Sequence, residues 1–344
     1  MEEWKEYKLG DVLTIKYGKD HKQLADGDIP IYGSGGIMRY GERSLYDGPS
    51  ILIPRKGSLN NVIYADKPFW TVDTMFWSII NDSIANPLFV YYSICKKDFA
   101  SLNVGSAVPS LTVPVIEDID ILLPSKATQD KVVSVLKSLD DKIELNRHIN
   151  DNLEQQAQAL FNEMFPHITE GENMIGDLIM PKRGKGLLSK NAIKGDIPVV
   201  AGGIEPATYH NQANTTAPVL TIAASGANAG YINLWYIPVW ASDSSYIDDS
   251  ITPNVYFWYI MLKKRQQEIF DAQVGSAQPH IYPKHIAELP MNVVFVEKIA
   301  EYNEIVTPIF EKKGQLFLES KRLTSLRDTL LPKLMSGELK INDI

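Results

Sequence analysis

Residues Leu139 to Met164 read LDDKIELNRHINDNLEQQAQALFNEM. Leu139, Ile143, Asn146, Asn150, Leu153, Ala157, Leu160 and Met164 fall alternately four and three apart, the 3.5-residue period of helices that wind round each other. Asn146 and Asn150 put polar groups into this seam, a device that fixes register at some cost in stability. The same ladder returns 170 positions later, at Ile309, Lys313, Leu316, Ser320, Leu323, Arg327, Leu330 and Leu334. One chain with two copies of a seam predicts that they pair with each other, antiparallel. Setting Leu139 against Leu334 puts Asn146 near Arg327, Asn150 near Leu323 and Ala157 near Leu316. The competing reading is an amphipathic helix lying on a globular core.

What precedes the seam is also duplicated. Leu9-Gly10-Asp11 matches Ile175-Gly176-Asp177, and Gly27-Asp28-Ile29-Pro30 matches Gly195-Asp196-Ile197-Pro198. Gly35-Gly36-Ile37 matches Gly202-Gly203-Ile204. Val104-Gly105-Ser106-Ala107 matches Val274-Gly275-Ser276-Ala277, with Pro109 and Pro279 two residues on. Order and spacing hold at offsets of 166 to 170, so the chain is two copies of a globular part followed by a helix. The segments run 1–127, 128–167, 168–295 and 296–344.

Within the globular parts, Val12 to Tyr17, Ser50 to Pro54, Asn61 to Tyr64 and Met75 to Ile80 are short β-branched or aromatic runs bounded by turn residues, hence strands. Leu220 to Ala223 and Gly230 to Trp235 are their counterparts. Pro87 to Lys97 and Pro253 to Gln267 have helical spacing with proline in the first turn. Ser138 with Asp141 has the spacing of a capping box, and Thr307-Pro308 supplies a cap and a first-turn proline at the aligned place. These predict short lead-in helices, a break, and long helices over about 139–165 and 308–335. The fold class expected is α+β: two pseudo-symmetric β-rich domains separated by an antiparallel pair of long coiled-coil helices.

The totals narrow the function. The amino-terminal MEEWKEYK alternates charges and is not expected to be a signal peptide; no run reaches ~18 apolar residues, so no membrane span is expected. The single cysteine, Cys95, allows no internal disulfide and suits a reducing cytoplasm. His21, His148, His167, His210, His280 and His285 show no metal-ligand spacing, so no metal site is expected. The formal charge is −8, and no segment is basic overall: 1–127 and 128–167 each carry −3, 168–295 carries −2, and 296–344 is neutral.

No catalytic motif stands out. Asn86-Pro87-Leu88-Phe89 lacks the second proline of an adenine methyltransferase motif. Arg183-Gly184-Lys185-Gly186 lacks the spacing of a phosphate loop, and Tyr32-Gly33-Ser34-Gly35-Gly36 is not a hydrolase serine elbow. Instead, local clusters suit DNA. Lys182, Arg183, Lys185, Lys190 and Lys194 have no acid between Asp177 and Asp196 and suit phosphates. Tyr209, His210, Asn211, Gln212, Ser225 and Asn228 lie in a stretch without Lys or Arg from Gly195 to Leu262, and suit base edges. The first copy offers Lys16, Lys19, His21 and Lys22; then Arg39, Tyr40 and Arg43; then Arg55, Lys56, Ser58, Asn60 and Asn61.

Two unlike globular units, each followed by a heptad helix, resemble the specificity subunits of Type I restriction–modification systems. The motifs agree along nearly the whole chain: Leu9-Gly10-Asp11, Pro30 to Gly36, Arg55-Lys56-Gly57-Ser58, Gly105-Ser106-Ala107, the Pro124 stretch, Asp141 to Asn146, and the closing Leu331 to Leu339. The second unit departs, with Ala224-Ser225-Gly226-Ala227-Asn228 in place of Arg-Lys-Gly-Ser, so the two halves are expected to read different sequences. The resemblance adds Ser34 to the candidate contacts and makes the globular parts target recognition domains joined by conserved helical spacers. It implies a non-catalytic reader of a bipartite double-stranded DNA target that docks two methyltransferase subunits and restriction subunits. S-adenosylmethionine, ATP and Mg would belong to those partners, with no cofactor in this chain. The alternatives from other classes are a solitary DNA adenine methyltransferase with an unrecognised active site and a helical scaffold with no nucleic-acid role. Binding of S-adenosylmethionine by the chain alone would reveal the first, and failure of gel shifts the second.

Overall fold

Ser50-Ile51-Leu52-Ile53-Pro54 is buried along its whole length, as a strand is only when a sheet is covered on both faces. It lies inside a four-stranded antiparallel sheet ordered Leu13–Tyr17, Met75–Ile80, Ser50–Pro54, Ile63–Ala65. Its one hydroxyl is satisfied, Ser50 Oγ donating to Ser78 O at 2.7 Å. Val219–Ala223, buried throughout, does the same in a sheet ordered Lys182–Arg183, Ser244–Ile247, Val219–Ala223, Ile232–Trp235. There Thr221 Oγ1 accepts from the Trp235 indole at 2.9 Å. The structure is a computed structural model describing residues 4–105, 107–275 and 278–340; Met1 to Glu3 and, in the repeated motifs, Ser106, Ser276 and Ala277 lie outside the described residues.

A second sheet accompanies each of these. Ile29–Gly33 pairs antiparallel with Gly36–Gly41 and parallel with Trp70–Thr71. Ile197–Val200 pairs antiparallel with Thr208–His210 and parallel with Trp240–Ala241. Ribbons of Lys5–Lys8 with Asp120–Leu123, and of Asn173–Met174 with Pro290–Met291, complete the set. The duplication is therefore strand for strand, in order and sense. The hairpins are not among the strands read from sequence, because Pro30 and Pro198 argue against an interior strand. Parallel pairing begins only at Ile31 and Val199, so each proline sits beyond it, where no ladder donor is required on that side.

Both long helices are continuous, Lys126–Met164 and Val296–Met335, which corrects the expected breaks at Ser138 and Pro308. The hydroxyls that resembled caps bond back into the preceding turn instead. Ser138 Oγ donates to Val135 O at 2.7 Å and Thr307 Oγ1 to Asn303 O at 2.7 Å.

The chain forms two compact units, Met1–Ile143 with Arg322–Ile344, and Glu144–Lys321. In the first, Val132, Val133 and Leu136 share one core with Leu331 and Leu334. Arg327 binds Asp140 at 2.7 Å, and Asp140 also accepts from the Tyr92 hydroxyl at 2.6 Å. In the second, Asn146 Nδ2 donates to Glu319 at 2.8 Å and Ser320 at 3.3 Å, Lys313 pairs with Glu154, and the Tyr302 hydroxyl donates to Ala157 O at 2.9 Å. Glu154 also accepts from Tyr259 at 2.9 Å, and burial first, then this carboxylate, pushes that phenol well above its ordinary range.

These partners run antiparallel, but Asn146 meets Ser320 rather than Arg327. The expected register was seven residues out. A one-heptad slip sets seam residues against seam residues, so the hydrophobic period does not choose between the two; the polar pairs do. Leu139, Ile143, Asn150, Leu153, Leu160, Ile309, Leu323 and Leu330 are half-buried and Asn146 and Leu316 buried, whereas Leu145 and Leu326, off the seam, are exposed.

Candidate nucleic-acid interface

In the first unit four segments converge at one end of the main sheet. Leu13–Tyr17 runs out into Gly18-Lys19, where a Cβ on Gly18 would sit 2.0 Å from the Val72 carbonyl oxygen. That close approach lets Lys19 N–H donate to Thr71 O at 2.9 Å, while the Lys19 carbonyl accepts from the Trp70 indole at 3.0 Å. The second segment is the turn Arg55 to Ser58, with Gly57 at φ +89°, a conformation that favours glycine. Gly57 N–H donates to Pro109 O at 3.2 Å, bringing in the third segment, 103–110. Asn61 Nδ2 donates to Ser34 O at 2.8 Å, bringing in the fourth, the hairpin turn Gly33 to Gly36.

The second unit repeats the bonds that join the first three segments, and its fourth segment approaches at Gly202, where a Cβ would sit 2.3 Å from the Ser225 carbonyl oxygen. Gly184 approaches the Ala241 carbonyl, Lys185 N–H donates to Ala241 O at 2.9 Å, and the Trp240 indole donates to Lys185 O at 2.8 Å. Gly226, at φ +81°, donates to Pro279 O at 3.0 Å. Bridges Lys56–Ser110 and Ser225–His280 correspond. Lys16, Tyr17, Lys19, Arg55 and Lys56 thus occupy the places of Lys182, Arg183, Lys185, Ala224 and Ser225. Two basic clusters that share no motif are one structural position. Tyr40 and Tyr209 are equivalent too: each lies opposite the strand proline, Pro30 or Pro198, and each is half-exposed.

Lys16, Lys19, Lys22, Lys56 and Lys185 are exposed and make no ion pair among the described residues. Ser58 and Asn211 are exposed, and Ser34 and Asn228 half-buried. Lys182 Nζ donates to Ser250 Oγ at 3.3 Å. The Arg55 guanidinium lies over the Tyr17 ring at 5.7 Å, and Arg43 over Trp70 at 5.8 Å. Arg183 pairs with Asp243 at 2.5 Å, and Asp243 also accepts from Ser225 Oγ.

Other candidates are engaged within the fold. Arg39 donates to His21 Nδ1 and O, to Leu24 O at 2.8 Å and to Asp26 at 3.0 Å, bracing the 21–26 loop. Asn60 bonds Asp98 at 3.1 Å and Ala100 N at 2.8 Å. His210 is not available as a base reader. Alternation along its strand turns Tyr209 outward and His210 inward, where Nδ1 accepts from Ile193 N at 3.0 Å. Trp70, Trp240, Asp243 and Tyr17 shape the site and were missed by the sequence reading, although the repeat offset relates Trp70 to Trp240.

Among the described residues no group of His, Cys, Asp and Glu is placed to hold a metal, and no helix is long and apolar enough to cross a membrane. Residues 1–155 match the family described as Type I restriction modification DNA specificity domain. A Mycoplasma pneumoniae protein described as a type I specificity subunit is 26% identical, covering 96% of each chain. The Type I restriction enzyme MjaIX specificity subunit of Methanocaldococcus jannaschii is 24% identical, over 99% of this chain and 89% of that one. The crystal structure of the S subunit from the M. genitalium Type I restriction–modification system shares the fold at a TM-score of 0.64, with 21% identity over 97% of this chain and 96% of that one. Taken together, these similarities support a Type I specificity subunit. The same similarities support a DNA-recognition subunit, and they do not favour the methyltransferase and scaffold readings.

Proposed function

We propose that each unit of this specificity subunit reads one half of a bipartite duplex target through its four-segment edge. The observation that carries the reading is the repeated frame with unlike side chains: Tyr17, Arg55 and Lys56 in one unit, Arg183, Ala224 and Ser225 in the other. A constant backbone under changing side chains is what two different half-sites require. Lys16, Lys19, Lys22, Lys182 and Lys185 contact phosphates, which position the protein without reading sequence. Two methyltransferase subunits and restriction subunits dock on the same chain in the cytoplasm, bringing S-adenosylmethionine, ATP and Mg. Their surfaces supply the positive charge that a chain of net −8 lacks.

Methylome sequencing of cells that express this chain with its partner subunits tests the proposal. The expected result is a two-part motif, of which one part alone changes when residues 168–295 are exchanged for those of a relative. A contiguous motif, or a change in both parts, overturns it.

A further inference from the structure

The repeated frame holds an internal comparison that bears on one carboxylate. Gly18 N–H donates to Met75 O and Gly184 N–H to Ser244 O, so Thr74 and Asp243 are matched, as are Tyr17 and Arg183. Where the first unit has Tyr17 and Thr74, the second has Arg183 and Asp243. The frame forms with either set, so the fold at this corner does not require the carboxylate. The carboxylate accompanies an arginine.

Each unit nevertheless places one arginine at this corner. In the first it comes from the turn, as Arg55, and lies over the Tyr17 ring. In the second it comes from the strand, as Arg183, and the turn offers the small Ala224 and Ser225. Asp243 receives Arg183 on Oδ1 and Ser225 Oγ on Oδ2, which fixes the carboxylate plane from the turn while it holds the guanidinium. About 40% of each side chain of the Arg183–Asp243 pair remains exposed, so the fork is held but not covered. Among the described residues the rest of the guanidinium donors are uncommitted. A phosphate contact needs only a positive charge, whereas a held planar fork suits the paired acceptors O6 and N7 of guanine in the major groove. A carboxylate beside phosphates repels them, so its presence favours a base over a backbone partner for Arg183.

We propose that Arg183 reads a guanine in the half-site of the second unit and that Asp243, steadied by Ser225, is its positioning residue. This rests on the proposed function and moves Arg183 from the phosphate contacts to the base readers. Arg55, held by Tyr17, has the corresponding place in the first unit.

The test uses the assembled complex of this chain with its methyltransferase partners. Asp243→Asn and Arg183→Lys are each compared with the parent by methylome motif and by binding to duplexes substituted one base at a time, over a range of salt. Both variants are expected to relax one guanine in the second half-site by roughly tenfold or more. The first half-site and the salt slope should stay unchanged. Arg183→Lys keeps the charge while losing the fork, and reports on the guanine even if Asp243→Asn folds poorly. Loss of affinity shared by all duplexes, with motif intact, makes Arg183 a phosphate contact and overturns the inference. If the 168–295 exchange moves the motif while neither point variant does, only this inference falls; if the exchange also leaves it unmoved, the proposed function falls with it.

Discussion

Trp70 donates its indole N–H to the carbonyl oxygen of Lys19 over 3.0 Å, and Trp70 is 7% exposed. The equivalent bond from Trp240 to Lys185 O, at 2.8 Å, is solvent-exposed. Phenylalanine removes the donor in either case, but water replaces it more readily at Lys185. Trp70→Phe is expected to cost about 1–2 kcal/mol and Trp240→Phe less than about 1 kcal/mol, since an acceptor left unsatisfied in a part-buried bond bears more of the desolvation penalty than one in an exposed bond. Denaturant unfolding of the full chain measures both. Equal costs would mean that the indole rings matter for packing and not for the bond.

The register of the long helices is open to direct trapping. Asn146 meets Ser320 in the second unit, so cysteines at these two positions should form a disulfide on mild oxidation, seen as a mobility shift on a non-reducing gel. Cysteines at Asn146 and Arg327, the pair set by aligning Leu139 with Leu334, should not. The native Cys95 does not compete, because burial pushes its thiol up to about 11 and keeps it protonated near neutral pH.

How much of this was legible in sequence depends on the range of the signal. The duplication shows in identical short motifs, and the central strands Ser50–Pro54 and Met75–Ile80 show as apolar runs; each is local. The seam fixes which residues face inward but leaves heptad slips open. Only pairs far apart in the chain, such as Asn146 with Glu319 and Glu154 with Lys313, remove that ambiguity. The site divides the same way. Lys182, Arg183 and Lys185 announce themselves as a cluster, whereas Asp243 lies 60 residues from Arg183 and meets it only through strand pairing. His210 was misplaced because its neighbours are polar and exposed while strand alternation buries it.

Lys313 is 8% exposed at its side chain, and its ion-pair partner Glu154 also accepts from the Tyr259 hydroxyl. A buried pair is costly to break from one side. Glu154→Leu alone should destabilise the second unit by about 3 kcal/mol, because the Lys313 charge stays buried and unpaired, and Lys313→Met should cost less, because Glu154 is 23% exposed and keeps Tyr259. The double change should recover part of that loss, since an apolar pair leaves no buried charge, although the Tyr259 hydroxyl still lacks its acceptor. A double-mutant cycle on unfolding midpoints decides it. Additive losses would show that the pair is not coupled.

Lys19 and Lys185 have equivalent backbones and exposed ammonium groups, so they should act alike despite belonging to units with different side chains around them. If each contacts one phosphate, its replacement by alanine should lower the magnitude of the salt slope by about 0.9. Affinity should fall by a similar factor for every duplex, with the methylated motif unchanged. The double variant should lose about twice as much slope, because the two sites share no partner among the described residues. Asn228→Ala provides the contrast: as a base contact it should relax one position of the second half-site by about 1–3 kcal/mol and leave the slope alone. Binding titrations of the assembled complex over a salt series measure both quantities together. A motif shift in the lysine variants with an unaltered slope would place Lys19 and Lys185 at base edges, and would leave the electrostatic attraction of duplex DNA to the partner subunits.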